Sequence, residues 1–330
     1  MPFLIDETPG ASAWVERYLA ALPEGNDLGS LVSAVVWTDG YLDDGQPIGG
    51  SDPSMIVNEI NEQGLTLLRG HDPGLPAGRV IAAQAFTSPS GTRFVVAILT
   101  YYEPGHQLGF ASLGVDPFPF VTSPSTLGSL DGARIEFGID RREVESHWLD
   151  EVLEDAPLFV KRVKFSHNAA ESVKELIRVG LPLAALLWNP LVTTVANEAG
   201  KDIYAGIRYW LQRLWKKLKE LRDPIVDVQV HYHGCQVSFL LRGRDVKQHY
   251  AAHAALPLAA AQAVKLVDGL GEYSSKLITL TYEFELSRWF PSYGIMADGR
   301  IVSDRSVLIA FEQLPKSLSM GILRPEDEDQ

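Results

Sequence analysis

The apolar residues of this chain change their period partway along it, and that change limits the architecture more than any other feature. In the first part they arrive as short β-branched or aromatic runs between Gly- and Pro-rich turns, the pattern of strands. Further on, the clearest element is a long helix over 201–222, whose Ile207, Trp210, Leu211, Leu214, Leu218 and Leu221 make one stripe. A chain of 330 residues is also too long for one ordinary core. The reading is therefore an α+β protein in two parts. Residues 1–150 form a small β-barrel-like domain with short helices, and residues 151–330 form an α+β domain with antiparallel hairpins.

Charge divides the chain at nearly the same place. Up to Val160 there is no lysine, and 23 acidic residues face 7 basic ones, a net of −16. The remainder carries 19 acidic and 22 basic residues, a net of +3. So acidic a first half lacks the cations that phosphate contacts need, which argues against nucleic-acid binding there. The single cysteine, Cys235, excludes an intrachain disulfide and suits a reducing compartment. The first residues have no basic n-region or long apolar run, so no signal peptide is expected. The most apolar stretch, 181–196, is interrupted by Asn189 and Pro190 and reads as a buried helix pair rather than a membrane span. Together these point to a cytoplasmic protein.

In the first half, helices are expected over 11–22 and 54–63, and strands over 31–37, 65–68, 79–86, 93–101, 110–115 and 133–139. After a linker over 151–157, Asn168 with Glu171 looks like a capping box opening a helix to Val179, with Gly180 as its stop. Strands over 226–230 and 236–241 flank His233-Gly234 as a hairpin, and 257–267 is Ala-rich and helical. Strands over 277–286 and 299–311 follow, with Asp298-Gly299 as a second turn signal.

Two segments carry the most specific chemistry. One is Leu67-Leu68-Arg69-Gly70-His71-Asp72-Pro73-Gly74, continuing through Pro76 to Gly78 between two strands. The other is Gly109-Phe110-Ala111-Ser112-Leu113-Gly114. A Ser nucleophile needs a base such as His to take its proton, and backbone N–H groups for the oxyanion, which nearby Gly residues can supply. These segments resemble the prohead proteases of tailed phages, which share the fold of the herpesvirus assembly proteases. The upstream Asp43-Asp44-Gly45-Gln46-Pro47-Ile48-Gly49-Gly50 also looks like that family's Asp/Gly loop. The resemblance covers about Val32 to Ile139 and implies a serine endopeptidase with His71 as base and Ser112 as nucleophile. Asp140 or Glu136, on the following strand, would be its third group.

Two other constellations stand out. His231, His233 and Cys235 lie on one hairpin, with His249 and His253 one helical turn apart; the spacing is no recognised zinc signature, and the bland reading is exposed and strand-end histidines. The long helix bears Arg208, Arg213, Lys216, Lys217, Lys219 and Arg222, a face that suits an anionic membrane or an acidic partner, is more commonly a solvated face over the packed Trp210 stripe, or docks on the acidic first half of the same chain or of a neighbour. No phosphate-binding Gly loop occurs, and no cofactor or metal is called for. The functional expectation is a serine-peptidase-like protein acting on a protein partner or on itself. The alternative is a non-catalytic interaction or assembly protein, for which a homo-oligomer is one form.

Overall fold

The computed structural model describes residues 3–22, 30–39, 52–102, 107–121, 126–127, 130, 132–139, 144–164, 175–188, 194–195, 198–271 and 275–304. In chain order its elements begin with α1 (Phe3–Asp6), α2 (Pro9–Ala21), β1 (Ser30–Thr38), α3 (Pro53–Gln63), β2 (Leu65–Leu68), β3 (Pro76–Thr87) and β4 (Arg93–Tyr101). Next come β5 (Thr126–Leu127), β6 (Ile135–Ile139), α4 (Ser146–Leu153), β7 (Val160–Lys164), β8 (Glu175–Gly180), α5 (Leu183–Leu187) and β9 (Thr194–Val195). The chain continues through α6 (Glu198–Lys217), β10 (Pro224–Tyr232), β11 (Cys235–Arg242), α7 (Val246–Gly271), β12 (Leu277–Glu285), β13 (Arg288–Met296) and β14 (Ile301–Val302). The molecule is mixed α+β, with antiparallel hairpins, as its sequence leads one to expect.

β4 organises the first sheet because almost every residue in it is apolar, which only a strand covered on both faces can accommodate. Its alternation sends Phe94, Val96 and Ile98 onto Trp14 and Val15 of α2. Val95, Ala97 and Leu99 point the other way, onto Ile56 and Ile60 of α3. The sheet runs β1-β4-β3-β2 with every neighbour antiparallel. Among the described residues it is an open sheet with β1 and β2 as its edges, and barrel closure of the first half is not seen. A helix on each face gives β4 the burial that closure would otherwise supply.

The second sheet has eight strands in the order β14-β13-β12-β11-β10-β8-β6-β7. β6, which the sequence groups with the first half, pairs here with β7 and β8. One face of this sheet buries Val226, Val228, Val237, Phe239 and Leu280 against α4, α6 and α7, around Trp210 and Trp215. Strand alternation puts Asp227, Ser238, Arg242, Thr281 and Glu283 on the other face. All of these but the half-buried Arg242 are buried.

Three expectations change. The helix proposed over 168–179 is, from Glu175, strand β8; residues 165–174 lie outside the described ones. Ile177 and Val179 fill the core while β10 and β6 pair with the two edges of β8, and these tertiary hydrogen bonds override the capping signal. Residues 110–115 are not a strand but a 3-10 turn over Ala111–Leu113, closed by Gly114 at φ 67°. Helix α7 starts eleven residues before Pro257 and contains that proline within it. The Asp245 carboxylate caps it, accepting the Lys247 N–H at 2.9 Å. No described helix is long and apolar enough to cross a membrane.

Candidate functional site

Of the residues implied by the prohead-protease resemblance, the structure describes the side chains of Ser112 and Glu136. Ser112 is exposed on the 3-10 turn, and its hydroxyl donates to the Gly109 carbonyl at 2.7 Å, an acceptor with no basicity to activate it. That turn is fastened to the β14 end of the second sheet: Leu108 N–H bonds the Ile301 carbonyl at 2.9 Å, and Phe110 N–H bonds the Asp304 carboxylate at 2.9 Å. His71 ends a 3-10 turn over Arg69–His71, and its side chain lies outside the described residues. Glu136 shares its carboxylate between Arg134 and Lys161 at the surface, at 3.1 and 3.4 Å. Asp140 and the 43–50 loop lie outside the described residues.

What the His71 segment does build is a contact between the two sheets. The next residue, Asp72, is buried and grips Arg242 of β11 with both oxygens, at 2.6 and 2.7 Å. Arg242 also donates to Glu283 of β12 at 2.7 Å, so one guanidinium lies between two buried carboxylates. Burial opposes its charge, but the hydrogen bonds and charges of Asp72 and Glu283 outweigh that and hold the Arg242 pKa above its ordinary value. The Tyr293 hydroxyl donates to the Pro73 carbonyl at 2.6 Å. Gly74 is needed because a Cβ there would meet both Arg242 and Glu283. The His-Asp-Pro-Gly motif is thus a fastening between the halves; the sequence signal was visible, but its partners were not.

The histidine and cysteine constellation separates. His231 and His233 are exposed on the β10–β11 hairpin, where His233 and Gly234 take φ 50° and 81°. Cys235 is buried in the core, which pushes its thiol up to about 12. His249 and His253 pack beside Trp215. Among the described residues no three His, Cys, Asp or Glu gather into a metal-holding group.

The basic helix face is largely neutralised within the chain. Lys217 pairs with Glu151 of α4 and with Glu220, Arg213 with Asp155, and Arg222 with Glu175. Those acids come from the end of α4, its continuation, β8 and, for Glu220, the 3-10 turn that follows α6, so much of the face is occupied internally.

One surface was missed by sequence reading. The β12–β13 hairpin turns through Leu286 and Ser287, both with left-handed backbone at φ 50° and 64°. Leu286 is 93% exposed at the tip. Just after it, Arg288 lies over the Phe118 ring at 5.0 Å, which brings in the Asp116-Pro-Phe-Pro-Phe loop with Phe120 90% exposed. The turn escaped notice because Leu-Ser lacks the Asn-Gly or Asp-Gly chemistry that marks such hairpins. No family model matches the chain, and no curated protein or solved structure is significantly similar to it.

Proposed function

We propose that this is a non-catalytic interaction protein whose contact surface is the β12–β13 tip together with the adjoining 116–120 loop. Leu286 carries the reading. A left-handed conformation favours Gly, Asn or Asp, and a leucine there costs on the order of 1 kcal/mol in backbone strain. It also leaves a large apolar side chain in water, two residues before the Arg288 that lies over Phe118. Exposed Leu286, Phe118 and Phe120 on two segments joined through Arg288, with Asp116 and Glu285 in the same segments, have the composition of a protein-binding surface. A partner that covers Leu286 and Phe120 offsets both costs.

The test is a double variant, Leu286→Asn with Phe120→Ser, compared with the wild type in affinity capture and in light scattering. The expected outcome is loss of the associated protein, or of a second copy of the chain, with thermal stability retained or raised. Identical association by both proteins overturns the reading. The peptidase reading, and the barrel that goes with it, rest on the short His71 and Ser112 motifs. Fluorophosphonate labelling that Ser112→Ala abolishes would favour it over the interaction protein.

A further inference from the structure

The end of α6 and the start of α7 meet through Arg244. Its guanidinium donates to the Lys219 carbonyl at 3.1 and 2.7 Å, in the 3-10 turn over Leu218–Glu220 that follows α6. Lys216 stands one helical turn before Lys219, and Lys247 lies in the first turn of α7, three residues after Arg244. All four side chains are exposed, and none has a carboxylate partner among the described residues. Their neighbours Arg213, Lys217 and Arg222 do have such partners. The helix dipole accounts for cations at the end of α6, but it leaves their charged heads in water and un-neutralised.

Two acids share these segments, and neither cancels the patch. The Asp245 carboxylate accepts the Lys247 and Gln248 N–H groups at 2.9 and 3.4 Å, and Glu220 pairs with Lys217. A surface of this charge suits an anion of matching size, and the chain itself carries one. Glu326-Asp327-Glu328-Asp329 is its only run of four acidic residues. Residues 305–330 lie outside the described ones, which end at Asp304. From Asp304 to Glu326 is about 22 residues, a reach of up to about 75 Å at full extension and more than a globule of this length is wide.

We propose that the acidic run 326–329 docks in cis on Lys216, Lys219, Arg244 and Lys247, an autoinhibitory contact that closes this patch to other anionic partners. A single exposed ion pair holds little by itself. A tether changes that, because it keeps the acids at an effective concentration on the order of mM, and four weak pairs then form within one molecule. Contacts between exposed charges are screened by salt, so the patch opens as ionic strength rises. The contact does not involve the β12–β13 tip, so either proposal can fail without the other.

The experiment acetylates the full chain with an N-hydroxysuccinimide ester and reads the rate at each lysine by mass spectrometry, relative to exposed Lys265 of α7. The comparison is a full-length variant with a neutral run, Glu326→Gln, Asp327→Asn, Glu328→Gln and Asp329→Asn. At about 50 mM NaCl, Lys216, Lys219 and Lys247 should be labelled at least threefold more slowly in the wild type than in the variant. Raising NaCl to about 0.5 M should remove that protection in the wild type, a readout that needs no variant. The proposal is overturned by equal relative rates in the two proteins at low salt, or by protection that survives 0.5 M NaCl. Protection that grows with protein concentration between about 1 and 50 µM overturns it too, because the acids then come from a second copy.

Discussion

Arg242 shows how a single side chain ties distant sequence together. It is held by Asp72 from the first half and Glu283 from the second, and removing it leaves two buried carboxylates facing each other. Breaking a buried pair in this way costs about 3–5 kcal/mol. Arg242→Met should lower urea-unfolding stability by that order, and a loss below about 1 kcal/mol would mean water already reaches the site. His253 gives a pH signature. Its folded pKa of about 4 lies below the ordinary 6.5, so the unfolded chain takes up a proton that the folded chain refuses. Its contribution is complete above pH 6.5 and is lost as the pH falls toward 4, on the order of 3 kcal/mol. His253→Asn, which keeps an acceptor for the Trp215 N–H, should flatten that decline between pH 7 and pH 4.5. Equal declines in both proteins would place the acid sensitivity elsewhere. The sequence reading passes over Arg242 and takes His253 for an exposed helical histidine, because their partners lie 170 and 38 residues away and the burial of His253 is set by the fold.

At the scale of elements, strong periodicity survived and weak signals did not. The stripe of α6 was readable because Ile207, Trp210, Leu211 and Leu214 recur at helical spacing and all end in one core. Trp210→Ala should cost about 3–5 kcal/mol, measured as a shift in the denaturation midpoint without a change in slope, because the indole fills that core and donates to the Val152 carbonyl at 2.8 Å. The β12–β13 hairpin was invisible for the opposite reason: its turn uses residues that do not favour the turn. Replacing Leu286-Ser287 with Asn-Gly relieves two left-handed residues and should raise stability by about 1 kcal/mol. No gain in melting temperature would show that the turn is not strained. β8 was misread as a helix because its pairing partners, β6 and β10, lie far from it in the sequence.

For the whole molecule, the two sheets are joined at several points among the described residues, the Asp72–Arg242 clasp foremost. Asp72, Pro73 and Gly74 sit on the polar face of the second sheet, and Tyr102 packs with Tyr293, Ile295 and Ile301. Coupling of this kind makes the halves unfold together, so calorimetry should give one transition for the wild type. Arg242→Met should split it into two. Two transitions in the wild type would show instead that the halves are independent despite the contact. The acidic first half also meets the basic helix where the end of α4 reaches α6, turning a charge difference along the chain into ion pairs such as Lys217 with Glu151.

By itself the sequence determined the α+β class, the long amphipathic helix, the hairpin at His233-Gly234 and the strand pair around β4, because periodicity and turn chemistry are local properties. Only the tertiary structure decided that, among the described residues, the first sheet is open with a helix on each face. The same holds for the His-Asp-Pro-Gly loop, which is a clasp, and for the wet leucine at a hairpin tip. Those outcomes depend on which buried polar groups find partners, and such partners are chosen across the fold rather than along the chain.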